Sequence, residues 1–388
     1  MINVTKLLFG TAQPGDALRY GEGFGAPRSA AERKPVVVWN ITRRCNLRCL
    51  HCYSDSDARE YPGELTYDEC RTVIDDLAAY RIPGLLFSGG EPTIHPRFFD
   101  LAAYAVEKGL RITISTNGTR IDGPAARRLH ALGVAYVGIS LDGIGETHDR
   151  FRGRTGAFEK AVSGFCHCRE VGQKSGLRLT LTPHTVADLP AILDFIEKED
   201  IRRVCFYHLV YSGRGTNLGL LSPQATRSSL EQIAEAARRW YHEGKPREVL
   251  TVDQPADGIF FWWYARRNLP DRAAEIERLL AWNGGGRHGS GIGLANIDSQ
   301  GRVHPDQFWQ DCILGNVREK PFSEIWTETA DPVLAGLRDR LPRLSGRCGT
   351  CRFRKLCGGG FRVRAWQRYG DPWAEDPGCY LTEEEIRP

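Results

Sequence analysis

No run of apolar residues in this sequence approaches the roughly twenty needed to span a bilayer. The opening Met1-Ile2-Asn3-Val4-Thr5-Lys6-Leu7-Leu8-Phe9-Gly10 contains an apolar stretch too short for a signal-peptide core, and no cleavage-site pattern follows it. Long blocks of one charge are missing as well. The 52 Lys and Arg are spread along 388 residues against 48 Asp and Glu, for a net charge of +4, so neither a nucleic-acid partner nor a membrane is expected. No GxGxxG or phosphate-loop lysine stands in the right context, so the glycines at 284–286 and 289–291 do not read as a nucleotide loop. A cytoplasmic protein is expected. In that reducing compartment the 12 cysteines argue for metal or cluster ligation before disulfides.

A further shortage carries more information. Cys45, Cys49 and Cys52 are spaced C-x3-C-x2-C with no fourth cysteine nearby. Protein thiolates normally hold all four irons of a cubane cluster. Three leave one iron open to a substrate or cofactor, which means chemistry and not only electron storage. A zinc site, a disulfide framework or scattered buried thiols compete with this reading, although structural zinc usually takes four ligands from paired motifs. Cys70, Cys166, Cys168 and Cys205 lie on helical or strand patterns and read as packed thiols.

From Lys34 to about Leu209, β-branched runs alternate with amphipathic stretches. Residues 36–39, 84–88, 111–115, 136–141, 177–182 and 204–209 read as strands, and 67–80 and 98–108 as helices between them. Six strands alternating with five helices give an α/β class with a parallel sheet buried on both faces. A partial (β/α)6 barrel fits, its site at the C-terminal strand ends as in closed (β/α) barrels. The expected division is an N-terminal extension at 1–33, the barrel at 34–215, a helical linker region at 216–293 and a cysteine-rich module at 294–388. Within the linker, 223–241 and 271–282 read as helices, and the aromatic run 260–264 reads as core before cofactor platform.

The cysteine triplet, with Gly89-Gly90-Glu91-Pro92 one βα unit later, resembles the radical S-adenosylmethionine (SAM) superfamily. The resemblance implies a [4Fe–4S] cluster whose open iron chelates SAM, reductive cleavage of the sulfonium, and a 5′-deoxyadenosyl radical. It assigns Gly89, Gly90, Glu91 and Pro92 to the SAM amino group. Ser115 and Asn117 at the third strand end, and Ser140 and Asp142 at the fourth, take the methionine and ribose contacts. Thr116 and Gly143 read equally well as turn residues. Thr147 to Arg154 resembles the HD-x-x-RG segment of superfamily members with a cysteine-rich extension. There Arg152 has the planar fork that a SAM carboxylate would accept.

Cys348-x2-Cys351-x5-Cys357 with the distal Cys379 resembles the auxiliary-cluster modules called SPASM or twitch. The resemblance implies a second [4Fe–4S] cluster on these four thiolates, with a zinc ribbon as the competing reading. Cys312 is either a spare thiol or a substitute ligand.

Segments 1–8, 16–21, 37–47, 207–215 and 303–310 resemble the modified-tetrapyrrole branch of the superfamily. That branch includes the deacetylation of didecarboxysiroheme to iron-coproporphyrin III and the removal of propionates in haem d1 biosynthesis. The opening segment favours deacetylation. The implied partners are a tetrapyrrole substrate and a one-electron donor such as ferredoxin or flavodoxin. A flat iron macrocycle fringed with carboxylates asks for cations, aromatic faces and an imidazole. Arg214, Arg154, His208, Tyr211 and His304 are candidates, with His208 and Arg214 favoured because they sit at the sixth strand end. Peptide maturases share the barrel and the extension but would need a winged-helix segment, for which the first thirty or so residues are too short. A non-catalytic iron–sulfur sensor would tolerate loss of the Gly89-Gly90-Glu91-Pro92 motif, which is intact.

Overall fold

The computed structural model describes residues 1–13, 16, 33–282, 285–328 and 330–387. Most of the expected N-terminal extension, including 17–21, and Gly284 lie outside the described residues. The strands are β1 (Ile2–Asn3), β2 (Val36–Thr42), β3 (Leu85–Gly89), β4 (Ile112–Thr116), β5 (Tyr136–Ser140) and β6 (Ser175–Leu181). They continue as β7 (Arg203–His208), β8 (Glu248–Val252), β9 (Leu294–Ile297), β10 (Arg302–His304) and β11 (Gly315–Asn316). All belong to one sheet in the order β1-β8-β7-β6-β5-β4-β3-β2-β9-β10-β11. Strands β2 to β8 run parallel to their neighbours, with helices in the crossovers. The order never returns to its start, so the barrel is open, as expected for a partial (β/α)6 fold.

The alternation of side chains along each strand builds two different faces. Val37, Trp39, Phe87, Ile114, Val137, Ile139, Leu177, Leu179, Val204 and Phe206 are buried in the main core. The intervening positions on β2 to β7, among them Val38, Leu86, Ser88, Ser115, Ser140, Arg178, Thr180 and Tyr207, line an interior cavity instead. Surrounding helices are set by their caps. Thr66 and Glu69 form a capping box on Tyr67–Tyr80, and Ser222 caps Pro223–His242 with proline in its first turn.

Two findings go beyond the six-strand expectation. The stretch expected as a helical linker contains β8, which extends the parallel run beside β7 and is itself covered by β1 in antiparallel pairing. The cysteine-rich module is continuous with the sheet, since β9 pairs parallel with β2. The aromatic run 260–264 lies inside the helix Ala256–Asn268, where Phe260, Phe261 and Tyr264 are core residues.

Candidate active site at the strand ends

The cysteine triplet occupies the loop after β2, and the neighbouring strand ends pin that loop. The Gly90 and Glu91 amides donate to the carbonyls of Thr42 (2.8 Å) and Arg44 (2.9 Å). A Cβ on Gly90 would lie 2.1 Å from the Arg44 carbonyl oxygen, so this approach needs glycine. From the other side comes the loop after β7. Gly213, at φ +52°, lies against the carbonyls of Cys52 and Tyr53, and the Arg214 amide donates to the Cys52 carbonyl at 2.9 Å. The Arg214 guanidinium donates to the carbonyls of Cys49 (2.8 Å) and Ser56 (2.8 Å) and pairs with Asp55 at 2.7 Å.

The three thiols converge on a cavity of about 150 Å³ that also touches Gly89, Gly90, Ser115, Asn117, Ser140, Arg152, His208 and Arg214. Three of the residues expected to contact SAM do not line it. Glu91 is fully buried behind the wall, accepting from Thr93 Oγ1 (2.6 Å), Thr116 Oγ1 (2.7 Å) and the Asn117 amide (2.7 Å). Burial pushes its carboxyl up, while these donors pull it down. Pro92 starts a short 3₁₀ turn beside it. Asp142 is also fully buried and is ion-paired with Arg152 while accepting from the Thr180 amide at 2.7 Å. Burial opposes the Asp142 charge, yet Arg152 holds its carboxyl below the usual range. Burial lowers His51 and His148 next to this pair to about 4, so both imidazoles are neutral at pH 7.

The thiols are prepared for a cluster. Burial and mutual repulsion push Cys45 and Cys49 up, so their thiolate forms call for a metal's charge. Donors already face the sulfurs: the Leu47 amide on Cys45 (3.4 Å), Arg152 on Cys49 (3.6 Å) and the Ser56 amide on Cys52 (3.3 Å). Such contacts orient ligands and tune a cluster.

The Radical SAM superfamily model matches residues 39–196. The chain is 49% identical to the Fe-coproporphyrin III synthase of Methanosarcina barkeri over 100% of its own length and 99% of that protein's. The chain belongs to the radical SAM superfamily. It is also 45% identical to the pre-heme d1 synthase of Dinoroseobacter shibae, over 91% of this chain and 87% of the relative. In fold it is similar to Streptococcus suis SuiB, solved bound to S-adenosylmethionine, with a TM-score of 0.69 at 18% identity over 90% of this chain and 78% of that one. As a radical SAM protein it uses a [4Fe–4S] cluster and SAM, and the donor set around Cys45, Cys49 and Cys52 fits that cluster.

Like other superfamily members with a cysteine-rich extension, the chain carries a second thiol set. Cys348, Cys351, Cys357 and Cys379 line one small cavity of about 30 Å³. Burial pushes all four thiols up, and Cys357 also feels the charges of Cys379 and Cys348. The Phe353 amide donates to Cys351 at 3.4 Å and the Gly360 amide to Cys357 at 3.2 Å. Four thiols lining one cavity, Cys357 buried and the others half-buried, fit a fully thiolate-bound cluster. Cys312 lies elsewhere, packed with Val210, Trp309, Leu337, Phe361 and Val363.

The five substrate candidates separate. His208 faces the reaction cavity and bonds Asp257 at 2.9 Å, which in turn accepts from Tyr380 at 2.6 Å beside Cys379. Arg214 reaches the cavity wall with its guanidinium engaged on the cluster loop. Arg154 donates to the Asn46 carbonyl (3.0 Å) from an exposed position. His304 is fully buried on the Cys312 carbonyl (2.8 Å), and Tyr211 does not touch the cavity. Sequence reading missed Arg178, Tyr53, Tyr207 and Asp253, all of which line the cavity. An arginine or tyrosine within a strand carries no mark of facing inward until the register is known.

Proposed function

We infer that the protein is a radical SAM enzyme of tetrapyrrole biosynthesis that removes acetate side chains from didecarboxysiroheme to give iron-coproporphyrin III. The observation that carries this reading is the 49% identity over full length to a relative named Fe-coproporphyrin III synthase. The 45% identity to a pre-heme d1 synthase over 91% of the chain favours a second reading, removal of propionates in haem d1 biosynthesis.

Cys45, Cys49 and Cys52 would hold the SAM-binding [4Fe–4S] cluster, and Cys348, Cys351, Cys357 and Cys379 an auxiliary one. When bound, cluster and SAM supply a 5′-deoxyadenosyl radical for hydrogen abstraction. The chain's own work is to place and shield. Gly89, Gly90, Ser115, Asn117 and Ser140 present polar groups at the cavity wall for SAM. Glu91, Pro92, Asp142 and Arg152 brace that wall through the contacts described above, with Arg152 also touching the Cys49 sulfur. His208, held by Asp257, would meet the macrocycle, while Arg214 would position the cluster loop. A wider cleft of about 600 Å³ shares Tyr53 and Phe308 with the reaction cavity and carries Arg43 and Arg302. Its size suits a flat macrocycle, while its charges are mixed, with Arg43 and Arg302 paired to Asp55 and Asp298. The electron would come from a one-electron donor such as ferredoxin or flavodoxin.

The deciding experiment is mass spectrometry of an anaerobic reaction of the reconstituted enzyme with SAM, a reductant and didecarboxysiroheme. Iron-coproporphyrin III with 5′-deoxyadenosine is the expected outcome. Loss of propionate would move the enzyme to haem d1 synthesis. Deoxyadenosine with an unchanged macrocycle would sink both tetrapyrrole readings while leaving the radical chemistry in place.

A further inference from the structure

Arg178 carries a charge that the protein leaves unanswered. It stands on the cavity-facing side of β6 and lines the same cavity as the cysteine triplet. Among the described residues it has no ion pair and no hydrogen bond. Its nearest companions are the Tyr207 ring, 4.8 Å from the guanidinium carbon, the phenols of Tyr53 and Tyr136, and the Cys205 thiol. None is a carboxylate. The other two guanidiniums on this wall are committed, Arg152 to Asp142 and Arg214 to Asp55. Arginine does not lose its proton, so this half-buried guanidinium stays charged and open to an anion that enters the cavity.

The neighbouring strand is shaped around this side chain. Ser140 of β5 pairs in register with Arg178. Two residues earlier on the same face, Gly138 leaves the space in which the arginine stem lies. A Cβ there would sit 2.7 Å from Arg178 Cδ. An arginine that a glycine makes room for, with no partner in the chain, is a site arranged for something else.

We propose that Arg178 binds a carboxylate of a molecule held in the reaction cavity, and that Gly138 is the specificity-determining residue that makes room for it. The planar fork takes a carboxylate through two parallel hydrogen bonds, a geometry that lysine does not reproduce. Two carboxylates qualify: the methionine carboxylate of SAM and a side-chain carboxylate of the tetrapyrrole. Position favours the tetrapyrrole, a source that rests on the functional reading above. Arg178 lies two strands beyond β4 and stacks on Tyr207 of β7, away from the β3 and β4 ends that present Gly89, Gly90, Ser115 and Asn117.

The test uses the full-length enzyme with its clusters reconstituted, in wild-type, Arg178→Met, Arg178→Lys and Gly138→Ala forms. Iron content confirms that each variant is loaded. Binding of didecarboxysiroheme is followed by the change in macrocycle absorbance, and SAM affinity by equilibrium dialysis. Expected is a loss of macrocycle affinity of about tenfold or more in Arg178→Met and Gly138→Ala, with only partial recovery in Arg178→Lys and SAM affinity unchanged. A comparable loss confined to SAM affinity would also support the carboxylate role and assign it to the methionine. Wild-type affinity for both molecules in Arg178→Met would overturn the proposal. If the wild-type enzyme binds no macrocycle, the tetrapyrrole reading has failed, and the SAM measurement alone decides for or against Arg178.

Discussion

Arg214 sits on the wall of the reaction cavity, yet its donors are spent on Cys49, Asp55 and Ser56 of the cluster loop. Arg214→Ala should therefore act on the cluster. We expect faster loss of iron to a chelator and about 1–3 kcal/mol lower stability from the unsatisfied carbonyls, with macrocycle affinity little changed. Asp253 makes a different case. It is buried, one carboxylate oxygen has no hydrogen-bond partner, and its backbone is left-handed at φ +66°. Burial pushes its carboxyl up to about 6, against the pull of the chain's amino group and Arg364. The folded chain thus holds this proton more tightly than the unfolded chain, whose Asp titrates near 4. The favourable contribution is complete below about pH 4 and is lost as pH rises to about 6. Asp253→Asn, tolerated at positive φ, should raise the melting temperature at pH 7 and above, with a gain that vanishes toward pH 4. The cysteine sets and the Gly-Gly-Glu-Pro turn were readable in the sequence because their spacing is itself the chemistry. Asp253 and Arg178 were not, because an isolated charge near a strand reads as a surface residue until the fold shows what surrounds it.

Among the elements, the β3 loop is tightly fitted. Gly90→Ala would drive a methyl into the Arg44 carbonyl, and backbone cannot move aside as a side chain can. We expect a loss of about 2 kcal/mol, of order 5 °C in melting temperature, together with impaired cluster assembly. Gly219→Ala, where an added Cβ meets nothing within 4 Å, is the matched control and should be near neutral. The six central strands were legible from periodicity, five of them within two residues at each end and the first stopping three residues short of Thr42, as were the helices at 67–80 and 98–108. Strand β1 was not, because two residues show no period. Nor was β8, whose five buried residues lie between two helical patterns and become a strand only through pairing with β7 and β1. Strands β9 to β11 are short for the same reason and are defined by the partners they meet.

Across the whole molecule, residues 253–257 join the barrel to the cysteine-rich module. Arg364 donates to the Asp253 carbonyl at 2.8 Å and pairs twice with the buried Asp376, at 2.8 and 2.7 Å, and Gln254 donates to the Gly378 carbonyl. Asp376 also lines the auxiliary thiol cavity. Arg364→Met should cost about 3–5 kcal/mol in chemical denaturation, because it strands a buried carboxylate. Cys351→Ala, which leaves that pair intact, should halve the iron content to about four per chain without unfolding the barrel. The same connectivity governs how the chain is made. The edge of β2 waits for β9, and β1 waits for β8, in each case some 250 residues later in the chain. At roughly 5–20 residues per second, a ribosome needs on the order of 12–50 s to deliver those partners. For that interval the β2 edge of a parallel sheet stands open, so this protein's yield in a cell should depend on chaperone supply and translation speed before it depends on iron.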